Sequence, residues 1–305
     1  MNILFLMKPY DVMNYKKDTS YILMKGAVER GHSVYYLPQG GISLTGNSAL
    51  FDVEELDVNE PLQAKQTLTL HSDNVDTVFV RTDPPFDSQY LMDTLLLDRL
   101  PKHIKVVNSG AGIRSVNEKV FATQFSDLTP ETIISSNQQH LRDFISQHKK
   151  TILKPTDGFG GAGIFKVSPE AENLSVILET LTENYSREII AQAYIKDAEA
   201  GDKRILLVNG DPIGAVLRVH PENDHRNNFF AGGHEEPTEI TEHDMHIVRT
   251  LKPHLLENSL FFVGIDIIGT SLIEINVTSP TCLQEMNRLY SKELHLKVIE
   301  ALEDL

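Results

Sequence analysis

The chain has 305 residues, 41% hydrophobic and 23% charged, enough for two or three domains with proper cores and too apolar for wholesale disorder. Its 28 Lys and Arg against 43 Asp and Glu leave a net charge of −15, which argues against a general binder of nucleic acid or of anionic membrane. The single cysteine, Cys282, allows no intramolecular disulfide; the start, MNILFLMKPYD, carries no basic leader, and no apolar run approaches membrane-spanning length, so a reducing, cytoplasmic setting is expected.

Residues 2–7 read as a buried strand. Asp18, Thr19 and Ser20 supply helix caps, a helical pattern runs to Arg30, Gly31 stops it, and residues 33–37 form the next strand. This β-α-β opening predicts a doubly wound N-terminal domain with its ligand edge at the carboxyl ends of the strands. The loops 8–18 and 81–87 lie at that edge, the second after a strand over 77–80. Pro84 and Pro85 stiffen the second loop, and Arg81 fits either a bidentate carboxylate clamp or the solvated arginine of a surface turn. A helix over 90–100, a strand over 105–108, a break at 110–114 and a helix over 115–125 opening with Asn117, Glu118 and Lys119 follow. A strand-like stretch within 128–135 and a helix over 138–148 begin the next unit.

Residues 150–167 contain Gly158, Gly160 and Gly163 in a G-x-G-x-x-G spacing. A dinucleotide fold requires a helix after this motif, but residues 164–167 are strand-like and Ser168-Pro169 breaks them. There is no G-K-[ST] ending for a Walker A loop and no H-R-D or D-F-G for a protein kinase. A glycine-rich loop between antiparallel strands still folds over phosphates, because glycines permit close backbone approach. Lys154 on the entering strand fits a phosphate contact or a plain solvated lysine. Residues 189–195 read as a buried strand against which a purine packs, bonding the backbone near Tyr194 and Ile195. A hairpin over 205–208 and 213–219 turns at Asn209-Gly210, with Arg204 and Arg218 on its strands. Residues 219–237 read as a lid or a disordered segment whose only Lys or Arg is Arg226; His220, His225 and His234 match no zinc spacing and read as solvated.

Helices over 242–257, with an awkward Pro253, and over 292–302 flank the segment 261–282, FFVGIDIIGTSLIEINVTSPTC. It reads as two strands turning at 269–271, with Asp266, Glu274 and Asn276 on one face and Ile265, Ile267, Ile273 and Ile275 on the other. A turn centred on Thr270 sets Asp266 opposite Glu274, a pairing that needs a compensating cation. Two readings stand: an amphipathic hairpin with a solvated face, or a Mg²⁺ site built from two carboxylates and an amide oxygen. Cys282, after a Ser-Pro-Thr turn with no His/Asp arrangement, reads as a buried structural thiol.

Asn117-Glu118-Lys119, Ile152-Leu153-Lys154-Pro155 with the glycine loop, Gly201-Asp202-Lys203-Arg204, residues 264–269 (GIDIIG) and 274–282 (EINVTSPTC) together resemble the bacterial glutathione synthetase branch of the ATP-grasp superfamily. Residues 17–20, 83–87 and 125–132 resemble that branch too, so the likeness spans almost the whole chain in order. It implies a fold of class α/β and α+β: an ATP-grasp fold with a doubly wound N-terminal substrate domain, 1–114, and two α+β subdomains gripping ATP. These would be 115–195, with the glycine-rich loop, and 196–305, with the lid and the metal hairpin.

The implied activity is ATP-dependent ligation of glycine to γ-glutamylcysteine through an acyl phosphate, giving glutathione, ADP and phosphate. The alternatives are a peptide ligase of the same fold with another amine acceptor, or a catalytically inactive, synapsin-like ATP-binding module. Carried over, the resemblance assigns ATP to Lys119, Lys154, Gly158, Phe159, Gly160, Gly161, Ala162, Gly163, Gln192, Tyr194, Ile195 and Asp202. It assigns two Mg²⁺ ions, with Mn²⁺ as a substitute, to Asp266, Glu274 and Asn276; catalysis to Arg204, Arg218 and Arg226; and substrate to Asp18, Ser20, Arg81, Asn276, Ser279 and Thr281. Small molecules are the implied partners, with no nucleic acid and no membrane, in a homo-oligomer. Departures from the branch pattern lie in the lid, which here reads Asn223-Asp224-His225-Arg226-Asn227-Asn228 and ends Gly232-Gly233-His234, and at Thr82, where a lysine is usual.

Overall fold

The computed structural model describes residues 1–158, 160–219 and 233–305, whose strands form sheets of seven, four and five strands. In chain order the first part comprises β1 (Asn2–Met7), α1 (Thr19–Glu29), β2 (Ser33–Pro38), β3 (Ile42–Thr45), β4 (Ser48–Asp57), β5 (Gln63–His71), β6 (Thr77–Val80), α2 (Ser88–Leu97), β7 (Lys105–Val107) and α3 (Gly110–Ser115). Strands β2, β1, β6 and β7 run parallel, as the β-α-β opening predicts. Both faces of β1 are covered: Ile3 and Phe5 join one core, Leu4 and Leu6 another, and all four are 0% exposed. An antiparallel ribbon of β3, β4 and β5 extends this sheet beyond β2, an addition the sequence reading does not contain.

The second sheet is antiparallel, β10-β9-β11-β8, built from β8 (Thr132–Ser135), β9 (Thr151–Pro155), β10 (Phe165–Val167) and β11 (Ile189–Ala193), with α4 (Gln138–His148) and α5 (Leu174–Leu181) supplying its core. The third, β14-β13-β12-β15-β16, contains β12 (Asp202–Val208), β13 (Asp211–Val219), β14 (His234–Glu236), β15 (Phe262–Ile268) and β16 (Ser271–Asn276). Helix α6 (Glu242–Glu257), with Pro253 inside it, packs on this sheet through Ile247, Val248, Leu251 and Leu255. Finally α7 (Leu283–Tyr290) and α8 (Leu294–Glu303) return to the first sheet, where Leu294, Val298 and Ile299 share a core with Ile3 and Phe5.

Two expectations need correction. No continuous helix covers 115–125: α3 ends at Ser115, and only a 3-10 turn, Phe121–Gln124, follows. The cause is local. The Asn117 side chain accepts from the amides of Lys119 (3.1 Å) and Val120 (3.0 Å), while the Glu118 carbonyl accepts from Ile275 N (2.9 Å). These bonds hold residues 117–119 against the end of the third sheet.

The second correction concerns the hairpin. Its turn is Gly269-Thr270 alone, with Ile268 opposite Ser271 and Ile267 opposite Leu272. That register would set Asp266 against Ile273, but a bulge between Asp266 and Ile267 restores the pairing of Asp266 with Glu274. The expected pairing therefore occurs for a different reason. Ile265, Ile267 and Ile275 enter the core, whereas Ile273 turns to the opposite face and lines a cavity.

Three polar clamps join the first sheet to the third. Asn108, just after β7, donates to Phe262 O (2.9 Å) and Val277 O (2.6 Å) and accepts from Phe262 N (2.8 Å). Ser109 donates to Asn258 O (2.9 Å), and Arg81 donates to Pro280 O (3.0 Å). The ligand edge of the doubly wound sheet is thus fixed beside the hairpin's carboxylates.

Candidate functional site

A cavity of about 390 Å³ is lined from the second and third sheets and by Lys8, Asp83 and Pro84 at the edge of the first. On the second sheet, Lys154 of β9 is 3% exposed and donates to Gln192 Oε1 on neighbouring β11 (3.3 Å). Gln192 is oriented in turn by donation from Nε2 to Thr132 Oγ1 on β8 (2.9 Å). Burial pushes the Lys154 ammonium down to about 8, with Glu274 acting in the opposite direction from a distance. The loop joining β9 and β10 carries Gly160, Gly161 and Gly163 at φ of 62°, 79° and 72°, backbone that side-chain-bearing residues rarely adopt. Gly158, Gly160, Gly161 and Ala162 line the cavity. Gly163 does not; it shapes the turn against Pro155.

The opposite wall is the third sheet. Register sets Asp202 beside Arg218 on β12 and β13, and Arg204 beside Asp266 on β12 and β15. Arg204 meets Asp266 through two bonds (2.5 and 2.8 Å), Arg218 meets Asp202 through two (2.7 Å each), and Arg218 Nη2 reaches Asp266 Oδ2 (2.9 Å). Burial alone would raise the Asp266 carboxyl, but the two guanidiniums overcome it and hold it well below the usual carboxylate range. Gly264 makes this possible: a Cβ there would lie 3.1 Å from Arg204 Cδ and 3.0 Å from Pro280.

Lys119 stands between the walls, with Nζ 3.3 Å from Glu274 Oε1 and donating to the Gly158 carbonyl. Burial works to lower its ammonium, and Glu274 together with Glu118 outweighs it. Asn276 donates to Asp266 Oδ2 (3.3 Å) and Gly264 O (3.2 Å). Beyond it, Thr278, Ser279 and Thr281 line the cavity. At the other end Ile152, Ile164, Ile268 and Ile273 line it beside Ala193, Tyr194 and Ile195, a slot suited to a flat aromatic ring, and Lys166 Nζ lies 3.9 Å from the centroid of the Tyr194 ring.

Among the described residues, no three His, Cys, Asp or Glu side chains form a self-contained metal cage. What the hairpin presents is Asp266 and Glu274 side by side with Asn276, hard oxygen donors that leave positions on Mg²⁺ for phosphate oxygens and water. That set fits Mg²⁺ bound together with a nucleotide.

The structure brings together Lys119, Lys154, Gln192, Tyr194, Ile195, Asp202, Arg204, Arg218, Asp266, Glu274, Asn276, Ser279 and Thr281. Phe159 and Arg226, with most of the lid, lie outside the described residues. Asp18, Ser20 and Arg81 are not among the residues that line this cavity. Asp18 caps α1 by accepting from Tyr21 N (3.0 Å), and Ser20 accepts from Arg81 Nε (3.0 Å). Arg81 is 3% exposed, so it is not a solvated surface arginine; through Nη2 it braces the loop before Thr281, and its Nη1 is buried without a hydrogen-bond partner among the described residues. Cys282 is buried as expected, and burial raises its thiol.

The sequence reading missed Glu118. Its Oε1 accepts from Val277 N (2.9 Å), Thr278 N (3.0 Å) and Thr278 Oγ1 (2.8 Å), which fixes the loop that carries Ser279 and Thr281. The run Asn117-Glu118-Lys119 carried that signal, but treating it as a helix start hid it. Lys8 and Asp83 were also missed.

Family comparisons agree with this geometry. Residues 1–114 match the family model described as prokaryotic glutathione synthetase, N-terminal domain, and residues 118–291 the one described as prokaryotic glutathione synthetase, ATP-grasp domain. The chain is 38% identical over 304 residues to the glutathione synthetase of Vibrio cholerae, covering 98% of this chain and 96% of that protein. It is 39% identical over 306 residues to the glutathione synthetase of Escherichia coli strain K12, with the same coverage. Among solved structures, D-cycloserine synthetase DcsG superposes with a TM-score of 0.71 at 13% identity, covering 99% of both chains. The macrocyclase MdnC of Microcystis aeruginosa, bound with its precursor peptide MdnA, gives 0.69 at 15% identity over 100% of both. At those identities the likeness carries the fold alone, which is ATP-grasp. The chain belongs to the prokaryotic glutathione synthetase family.

Proposed function

We propose that this protein joins γ-glutamylcysteine and glycine into glutathione at the expense of ATP, releasing ADP and phosphate. The observation that carries the reading is the cavity itself. Two buried lysines and a glycine loop face two paired carboxylates and two arginines, beside an apolar slot lined by Ile152, Ile164, Ile268 and Ile273. The three units assigned from sequence, 1–114, 115–195 and 196–305, supply its edge, its glycine-loop wall and its hairpin wall.

A carboxylate is a poor electrophile, so the cysteinyl carboxylate must first become an acyl phosphate, which the glycine amine then attacks. Phosphoryl transfer asks for positioning and neutralisation of charge rather than for a nucleophilic side chain; among the described residues four buried cations, Lys119, Lys154, Arg204 and Arg218, line the cavity, and the chain's one thiol, Cys282, does not. Lys119 and Lys154 neutralise phosphate oxygens under the cover of the loop carrying Gly158, Gly160, Gly161 and Ala162. Tyr194 and Ile195 offer their backbone to the adenine edge, and Asp202 borders the ribose side. Arg204 and Arg218 steady the substrate carboxylate and the oxyanion of the tetrahedral intermediate, while Ser279 and Thr281 orient the dipeptide. Asp266, Glu274 and Asn276 would hold Mg²⁺, which when bound supplies charge neutralisation between neighbouring phosphates.

The test is ADP release by the purified protein with ATP, Mg²⁺, γ-glutamylcysteine and a panel of amines. Glutathione formation with glycine as the preferred acceptor is expected. Robust turnover with another amine and none with glycine would reassign the acceptor, and ATP binding without any ADP release would make the protein a nucleotide-binding module.

A further inference from the structure

We infer that a second cavity, adjoining the nucleotide cavity, binds a multivalent phosphate anion, at a site that lies outside the ligase reading. Its volume is about 460 Å³, and Lys149, Lys150 and Lys196 line it together with His148, Tyr194 and Glu199. Ala193 and Tyr194 line both cavities. Strand pairing builds the place. Thr151, the first residue of β9, pairs with Ala193 at the end of β11, and Tyr194 N donates to Lys150 O (3.1 Å). That register carries the end of α4, with Lys149 and Lys150 directly after it, up to the 3-10 turn Lys196–Ala200 that follows β11.

Three ammonium groups thus meet in a chain whose net charge is −15. Among the described residues none of the three has a hydrogen-bond or ion-pair partner, and like charges gathered without partners repel one another until an anion fills the space between them. A lysine at the carboxyl end of a helix offsets the helix dipole, which accounts for Lys149 and Lys150. It does not account for Lys196, which enters from a separate segment. The nearby acids leave the cluster uncancelled. Glu199 Oε1 accepts from the Tyr194 hydroxyl (3.2 Å). Glu131 Oε2 lies 3.2 Å from His148 Nε2 but outside hydrogen-bond geometry, so that buried nitrogen has no hydrogen-bond partner among the described residues. Lysines are point charges on flexible stems, which match the spread oxygens of linked phosphates better than the planar fork of one carboxylate. An inorganic polyphosphate chain and the phosphates of a second nucleotide share that chemistry.

Calorimetry on the full chain tests the site in two steps, with Mg²⁺ in excess throughout. A non-hydrolysable imido analogue of ATP is titrated first, and tripolyphosphate is then titrated into the analogue-saturated protein. Two equivalents of analogue in the first step would make a nucleotide the occupant. One equivalent of analogue followed by one of tripolyphosphate would make it an inorganic chain. In either case the triple variant Lys149→Gln, Lys150→Gln, Lys196→Gln should keep the first equivalent and bind the second at least about tenfold more weakly. The same three positions changed to Arg should retain the second equivalent, which separates lost charge from lost fold. Lys25→Gln, Lys102→Gln, Lys105→Gln, which changes three exposed lysines elsewhere, should alter neither. One equivalent of analogue with no binding of tripolyphosphate would overturn the assignment. So would a second equivalent that survives the first triple variant, or one that is lost equally in the control.

Discussion

On the hairpin wall of the cavity Asp266 is buried against two guanidiniums, and Arg218 is further engaged by Asp202. On the glycine-loop wall Lys154 is as deeply buried, yet its described partner is a neutral amide oxygen 3.3 Å away. Both walls place charge in a dry setting, but only the first neutralises it internally. An ion network that is complete before ligand arrives is stable and keeps its carboxylate ionised. A buried ammonium without a contacting carboxylate is uncomfortable until an anion arrives, and that discomfort favours phosphate. The difference teaches which wall meets its ligands as a frame with its charges already paired, and which is a receptor whose buried charge waits for phosphate.

The sharpest way to break the comparison is to remove the same kind of group, a buried charge, from each wall. Asp266→Ala strips the hairpin network of its central anion and leaves two buried arginines sharing Asp202. Losing one partner of such a pair costs about 3–5 kcal/mol, so denaturant unfolding should show a loss of that size, and ligation should vanish. Stability within about 1 kcal/mol of wild type would mean the network is not the frame described here.

Lys154→Met should behave in the opposite sense. It removes a buried charge whose described partner is a neutral amide oxygen, so the ligand-free protein should be as stable as wild type or more so, while ATP affinity falls about 10- to 100-fold. The pH dependence follows from burial. The ammonium titrates near 8 in the folded chain against 10.5 ordinarily. The unfolded chain therefore binds more protons between those values, and the stability of the ligand-free protein should rise with pH across that window. Phosphate favours the charged form, so ATP affinity should fall as pH climbs through 8, with a proton taken up on binding. Calorimetry in buffers of different ionisation enthalpy measures that proton, and Lys154→Met should abolish it. Proton uptake that survives the substitution would assign the titration to another group.

Much of this was legible in the sequence because several levels agreed. Asn2–Met7, Thr19–Glu29 and Ser33–Pro38 carried apolar runs, a cap and a stop, and Asn209-Gly210 marked its own turn. The glycine loop was also legible from spacing, whereas the pairing of the carboxylates was expected from a turn at 269–271 that the chain does not make. What was not legible depended on partners far away in the chain. Residues 115–125 have helical composition, but Asn117 and Glu118 spend their bonds on local amides and on the hairpin end. Arg81 sits in a polar loop, yet contacts with Ser20 and Pro280, the latter 199 residues away, take it out of the cavity. The bulge beside Asp266 has no local marker either; Ile273 looks like any other core isoleucine until the register is known.

The smallest effect tests whether the receptor wall is held in place or merely present. Thr132 touches neither the cavity nor Lys154, but its hydroxyl accepts from Gln192 Nε2 at 2.9 Å and donates to Pro130 O at 2.8 Å. That contact decides which end of the Gln192 amide faces Lys154. With the amide reversed, an NH₂ would point at the ammonium in place of the oxygen, and Lys154 would lose its described partner. Thr132→Val keeps the shape of the side chain and removes the hydroxyl, a loss of about 1 kcal/mol or about fivefold in ATP affinity. Thr132→Ser should restore it. Because the change acts through the ammonium, the Val variant should also lower the pH at which ATP affinity begins to fall. A weaker enzyme with an unshifted pH profile would assign Thr132 to packing of the sheet alone.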